Sequence, residues 1–237
     1  MKFMLMVITD EPAERGLSRD ELERVIAQHT TVTRELQAAG KLVGSSRLCF
    51  SGDATTIRVR NGKPLLLDGP FAESKEQIGG FYLIDVDSKE EAIAWAKRLP
   101  LRSAGAIEVR PARTGAQWRG ALGDRPQFLV MFIANYDTPQ SREHVFRAID
   151  SHYELSLDLA AQGKFVSSRA LEPSVAAATL RLQNGKPVVL DGPFAETKEF
   201  VAGYFVIASD SKAEAIEWAK KLMWGSDACE VRPLWTS

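Results

Sequence analysis

Residues 61–76 read NGKPLLLDGPFAESKE, and residues 184–199 read NGKPVVLDGPFAETKE. The differences are Leu65/Val188, Leu66/Val189 and Ser74/Thr197, and each keeps side-chain character. Asn61-Gly62 is a strong tight-hairpin signal that leads into a short strand. In the Asp68-Gly69-Pro70 turn that follows, Pro70 fixes its own φ and keeps Gly69 out of the helical region, while Gly69 takes backbone angles closed to other residues. A turn alone would leave Phe71, Glu73 and Lys75 free to vary between the copies. Their return as Phe194, Glu196 and Lys198 says that more than a turn is held. Asp68 and Asp191 are then rigidly displayed carboxylates, suited to orienting a base or holding a ligand. The plainer alternative is an Asx-type turn beside a solvated charge face.

The repeat extends outward in both directions. Phe3–Ile8 is a compact apolar run that reads as a strand. Ser18 and Glu21 have capping-box spacing and open a helix that Gly40 ends, with an apolar stripe of Leu22, Val25, Ile26, Val32 and Leu36 and with His29 in its middle. Strands are expected at 42–49, 55–60, 64–67 and 79–86. Ser88 and Glu91 then start a second helix, and 106–110 forms a last strand. A helix beginning at Thr138-Pro139 and ending before Gly163, with His152 in a stripe with Val145 and Leu159, a helix opened by Ser211 and Glu214, and the Glu230-Val231-Arg232-Pro233 end repeat this plan. The domains are therefore 1–111 and 127–237, joined by a Gly-containing linker, 112–126, that carries Trp118 and Leu122. The element order is the split β-α-β of ferredoxin-like folds, with both helices on one face of an antiparallel sheet. The expected fold class is α+β, tandem ferredoxin-like units of the dimeric α+β barrel kind forming an intramolecular pseudo-dimer, each sheet covering the other.

Lysine plus arginine (30) nearly balance aspartate plus glutamate (31), and no segment concentrates one sign. That leaves no electrostatic footprint for nucleic acid or a membrane surface, and no run approaches the ~20 apolar residues of a membrane helix. A small-molecule ligand or a protein partner is expected instead. Cys49 and Cys229 stand at non-equivalent positions, which suits neither a repeated disulfide nor a metal site and fits a reducing cytoplasm. Phosphate loops, HExxH, CxxC and G-x-S-x-G are absent from the sequence, so no cofactor and no metal is expected.

Of the three histidines, His29 and His152 each precede an Asp-Gly-Pro-Phe aspartate by 39 residues, whereas His144 has no counterpart. Pairing His29 with Asp68 and His152 with Asp191 would fix each tautomer and leave the second nitrogen as a base; a core histidine tied to a backbone carbonyl is the alternative. Glu73 and Glu196 either complete a polar pocket or form rim ion pairs. Arg110 and Arg232 either reach a substrate carboxylate or pair with Glu108 and Glu230.

The Asp-Gly-Pro-Phe-x-Glu-x-Lys-Glu core, the meander before it and the Glu-Val-Arg-Pro end resemble the YCII-related family, in particular its DGPF-domain branch, over both halves. The resemblance implies a dimeric α+β barrel with a histidine–aspartate dyad, carried onto His29 with Asp68 and His152 with Asp191. It implies activity like that of a relative that dehydrochlorinates a chlorinated hydroxyhydroquinone, or of the muconolactone isomerases of the barrel superfamily. It also implies partnership with extracytoplasmic-function sigma factors. The expectation is a cofactor-free lyase or isomerase; the competing one is a regulatory or ligand-sensing module that docks a protein through Trp118, Trp224 and Trp235.

Two departures from symmetry stand out. Ser45-Ser46-Arg47 and Ser167-Ser168-Arg169 are one residue out of step in the histidine-to-aspartate frame, and Leu99-Pro100-Leu101 answers to Leu222-Met223-Trp224. The two pockets are expected to differ in shape, with one idle.

Overall fold

The computed structural model describes residues 1–102, 105–113, 115–117, 124–135, 142–195, 199–223 and 228–235. The first half runs β1 (Lys2–Asp10), α1 (Glu11–Arg15), α2 (Arg19–Ala38), β2 (Leu42–Arg47), β3 (Thr55–Arg60), β4 (Lys63–Asp68), β5 (Glu76–Asp85), α3 (Lys89–Ala96) and β6 (Ala106–Ala112). The second runs β7 (Gln127–Asn135), α4 (Arg142–Ala161), β8 (Phe165–Ala170), β9 (Ala178–Gln183), β10 (Lys186–Asp191), β11 (Glu199–Ala208), α5 (Lys212–Leu222) and β12 (Ala228–Pro233). Thr138 and Pro139, expected to open α4, lie outside the described residues.

Local chemistry explains most boundaries. Ser18 and Glu21 form a reciprocal capping box on α2, and Ser88 and Ser211 accept from the amides of Glu91 and Glu214. Asn61 and Gly62 both take positive φ, 52° and 71°, the two-residue hairpin geometry that matches strand twist. The short helix α1 is a departure from the sequence reading. Asp10 caps it by accepting from the Ala13 amide, and Pro12 stands in its first turn, but five residues are too few to show a period. Ile26 corrects the expected stripe: it is 43% exposed, and the buried residues of α2 are Val32 and Leu36 near its end.

The fold is α+β with two six-stranded antiparallel sheets, ordered β10-β9-β6-β1-β5-β2 and β4-β3-β12-β7-β11-β8. Four adjacent strands of one half, β6-β1-β5-β2, have the ferredoxin-like order. The remaining two come from the other half. Hairpin β3–β4 leaves the first half and pairs with β12, residues Thr55–Arg58 facing Val231–Ala228, and β9–β10 pairs with β6 in the same way. Compact units therefore interleave the halves. The first unit is Met1–Arg47, Ser74–Arg113 and Leu171–Glu196; the second is Leu48–Glu73, Thr114–Ala170 and Thr197–Ser237.

Each unit has its own core. In the first, Phe3, Leu5 and Val7 of β1 pack with Val32 and Leu36 of α2, Ala92 and Ala96 of α3, and Leu180 from the exchanged hairpin. In the second, Phe128, Val130 and Phe132 pack with Leu159, Trp218, Leu222 and the exchanged Ile57. Full burial of one such side chain stabilises by roughly 1.5–3 kcal/mol, so the borrowed residues matter to the sheet that receives them.

Candidate functional site

His29 reaches its place because Ser18 sets the phase of α2, which puts Val25, His29, Val32 and Leu36 toward the sheet. There it lines a cavity of about 70 Å³ in the first unit, walled by Val7, Ile8 and Thr9 of β1, Ala13 and Glu14 of α1, Leu17, Val25, and Pro100, Leu101, Arg102, Gly105 and Ala106. Gly105 itself comes close to β1, since a β-carbon there would stand 2.7 Å from the Ile8 carbonyl oxygen. In the wall, Thr9 Oγ1 is buried without a hydrogen-bond partner.

Two hydrogen bonds stand at this residue. Thr33 Oγ1 lies 2.8 Å from the His29 carbonyl oxygen, which has no proton to give, so the Thr33 hydroxyl donates. His29 Nδ1 is 2.9 Å from the Tyr82 hydroxyl oxygen, donating in one tautomer and accepting in the other. Among the described residues, Nε2 makes no hydrogen bond. Burial, with a smaller push from the Arg47 guanidinium, lowers the His29 pKa to about 4, so the ring is neutral near pH 7. Arg47 itself stands 3.7 Å from Glu14. Burial raises the Tyr82 hydroxyl pKa, so Tyr82 stays protonated.

The second half carries a different arrangement at the same place. Val7 faces Gly80 in the sheet and Phe132 faces Gly203, and the Phe132 ring stacks on His152 with centroids 4.9 Å apart. The order Phe81-Tyr82 becomes Tyr204-Phe205, so a phenyl edge meets His152 where His29 has a phenol. Nε2 of His152 donates to the Leu222 carbonyl at 2.7 Å, which places its proton on Nε2. The one-residue slip in β8 completes the change. Arg47 pairs with Gly80, but Ala170 pairs with Gly203, so Arg169 points to the opposite sheet face. His152 is thus held as a core histidine among aromatic rings.

The duplicated loop is a clasp for the exchanged hairpin. Gly69, at φ +96°, donates its amide to the Ala54 carbonyl and accepts from Thr56 Oγ1 at 2.9 Å. The Phe71 amide donates to Glu230 Oε2 at 3.0 Å, and Arg58 bonds the Phe71 carbonyl while making a two-point pair with Glu199. The Arg58 hydrogen bond lowers the Glu199 pKa. Gly192, Thr179, Phe194, Glu108 and Arg181 repeat the clasp in the first unit, with Arg181 stacked over the Phe194 ring.

The remaining expected residues fall around this clasp. Arg110 and Arg232 are buried and paired with Glu108 and Glu230. Asp68 and Asp191 are exposed at the ends of β4 and β10, each preceding its clasp glycine. His29 belongs to the first unit and Asp68 to the second; His152 belongs to the second and Asp191 to the first. Among the described residues, His29 bonds Tyr82 and His152 bonds Leu222 rather than an aspartate. Glu73 is exposed, and Glu196, Trp118, Leu122 and Trp224 lie outside the described residues, as do the side chains of His144 and Val145. Trp235 is 57% exposed. Among the described residues no group of three or more His, Cys, Asp or Glu stands together as metal ligands, and no helix is long and apolar enough to cross a membrane.

Comparison with known proteins places these halves in a family. The model of the YCII-related domain matches residues 1–114 and again 129–236. The chain belongs to the YCII-related family. It is a tandem YCII-related protein, two copies in one chain. An "Uncharacterized protein" of Rhizobium meliloti is 41% identical over 113 residues, covering 47% of this chain and 91% of the relative. A likeness to the crystal structure of a "Putative Chlorite dismutase" covers 100% of this chain and 96% of that one at 8% identity, with a TM-score of 0.43, too low to carry an argument.

In this YCII-related chain, sequence reasoning missed Tyr82, Thr33 and the cavity wall. A usable signal lay in the Phe-Tyr to Tyr-Phe inversion between the copies, which marks where the two histidine environments part.

Proposed function

We propose that the chain is a cofactor-independent enzyme of lyase or isomerase type, working from the His29 cavity of the first unit. The observation that carries this reading is the hydrogen bond between His29 Nδ1 and the Tyr82 hydroxyl beside a cavity; with Nδ1–H donating, Nε2 is the base. Nε2 takes a proton from carbon beside a carbonyl, and the C–H electron pair moves to the carbonyl oxygen as an enolate. The enolate then expels a leaving group from the neighbouring carbon or takes the proton back at another position. His152, bonded to a backbone carbonyl and stacked on Phe132, serves packing.

The test is proton exchange, which needs only the first step. In D₂O, the chain should speed loss of the acidic C–H signal in at least one of acetylacetone, dihydroxyacetone and 2-oxobutanoate, read by NMR. His29→Gln should abolish the effect, and His152→Gln should keep it in whatever fraction remains folded. Equal exchange by His29→Gln, or no protein-dependent exchange with any of the three, overturns the proposal.

A further inference from the structure

We infer that the His29 cavity takes a small monocarboxylate, its carboxylate held by Arg102 and its acidic C–H end turned toward His29. This rests on the reading of His29 as a base and adds the class of substrate.

Three charged side chains line the cavity: Asp10, Glu14 and Arg102. The two acids are engaged, Asp10 with the Ala13 amide at 2.8 Å and Glu14 with Arg47. Arg102 is exposed and, among the described residues, forms no ion pair within 4 Å. Glu21, which feels its charge, is tied to Ser18. A guanidinium fork open to a ligand favours a planar carboxylate. Thr9, whose hydroxyl is buried without a hydrogen-bond partner, also lines the cavity.

Size narrows the class further. A cavity that accepts benzene measures about 150 Å³, roughly twice this one, so an aromatic ring does not enter whole. An acid of about two to four carbons does, with part of it standing in the opening, and Val7, Leu17, Val25, Pro100 and Leu101 supply apolar contact for its chain. Electrostatics agree in sign. The charged groups around His29 are Asp10, Glu14, Arg47 and Arg102, with the Tyr82 hydroxyl on Nδ1. A carboxylate entering beside them adds the negative charge that raises an imidazole's basicity, so the base strengthens when substrate is present.

With three histidines in the chain, the Hε1 NMR signals serve as the readout, His29 being assigned by its loss in His29→Gln. Acetate, pyruvate and 2-oxobutanoate should shift and saturate the His29 signal and move its titration midpoint upward. Acetamide and 2-butanone should bind at least about tenfold more weakly, and catechol should not displace pyruvate. Arg102→Gln, at an exposed position, should lose that preference by a similar factor with an unchanged urea midpoint. Equal binding of neutral and acid probes, wild-type acetate binding by Arg102→Gln, or no response to any acid overturns the inference. The two readings fail separately. If His29→Gln keeps proton exchange, the base is wrong, while pyruvate shifts at the Thr9 and Ala106 amides still report the anion site.

Discussion

At pH 7 the His29 ring carries no charge, because folding removes it from water and places the Arg47 guanidinium nearby. The folded pKa, about 4, lies below the ordinary value of 6.5, so the unfolded chain takes up the proton first as pH falls. The stabilisation is complete above about pH 6.5 and is lost through the window down to pH 4. Its size is on the order of 2–3 kcal/mol, and burial of His152 adds a loss of the same sign. Urea midpoints from pH 8 to pH 4 should therefore fall, and His29→Gln should flatten the curve; an unchanged slope would remove the argument. Proton placement gives a second expectation. Nitrogen-15 spectra should show His29 protonated at Nδ1 and His152 at Nε2, and Tyr82→Phe should release the first assignment without touching the second. The sequence made both histidines visible as helix-face residues one repeat apart. Their difference was not readable from helical spacing, since it depends on what the sheet puts against each ring: Val7 and Tyr82 in one case, Phe132 and Phe205 in the other.

The hairpin β3–β4 was legible as an element. Thr55–Arg60 matches the strand expected from alternation, and Asn61-Gly62 makes the turn it announces. Its destination was not legible, because alternating residues fit the pleat of any sheet edge equally well. The clasp supplies the choice: Arg58 meets Glu199 on β11, the Phe71 amide meets Glu230 on β12, and Glu230 is shared between Arg232 and the loop. Glu230→Gln removes the carboxylate charge paired with the buried Arg232 and weakens the bond to the Phe71 amide. That should cost about 3–5 kcal/mol in urea unfolding. Replacing Asp68 with Asn, at an exposed position, should change stability by no more than ~0.5 kcal/mol. Equal effects of the two substitutions would show that the clasp is not what holds the loop.

Across the whole molecule, each sheet takes four strands from one half and two from the other. Cutting the chain between residues 117 and 124 should therefore leave fragments that travel together in size-exclusion chromatography without denaturant. Separation would strip β6 and β12 of their exchanged partners and uncover Leu180 and Ile57, while independent migration of folded fragments would refute the exchange. Sequence alone determined the doubled α+β plan, the helix caps, the hairpin turns and the family, because these follow from local hydrogen bonding and from apolar spacing within one element. Tertiary structure alone decided which sheet receives each hairpin, that the repeated loop clasps it, and that His29 borders a cavity while His152 is packed shut. Those outcomes depend on groups far apart in the chain, whose meeting leaves no period in the sequence to read.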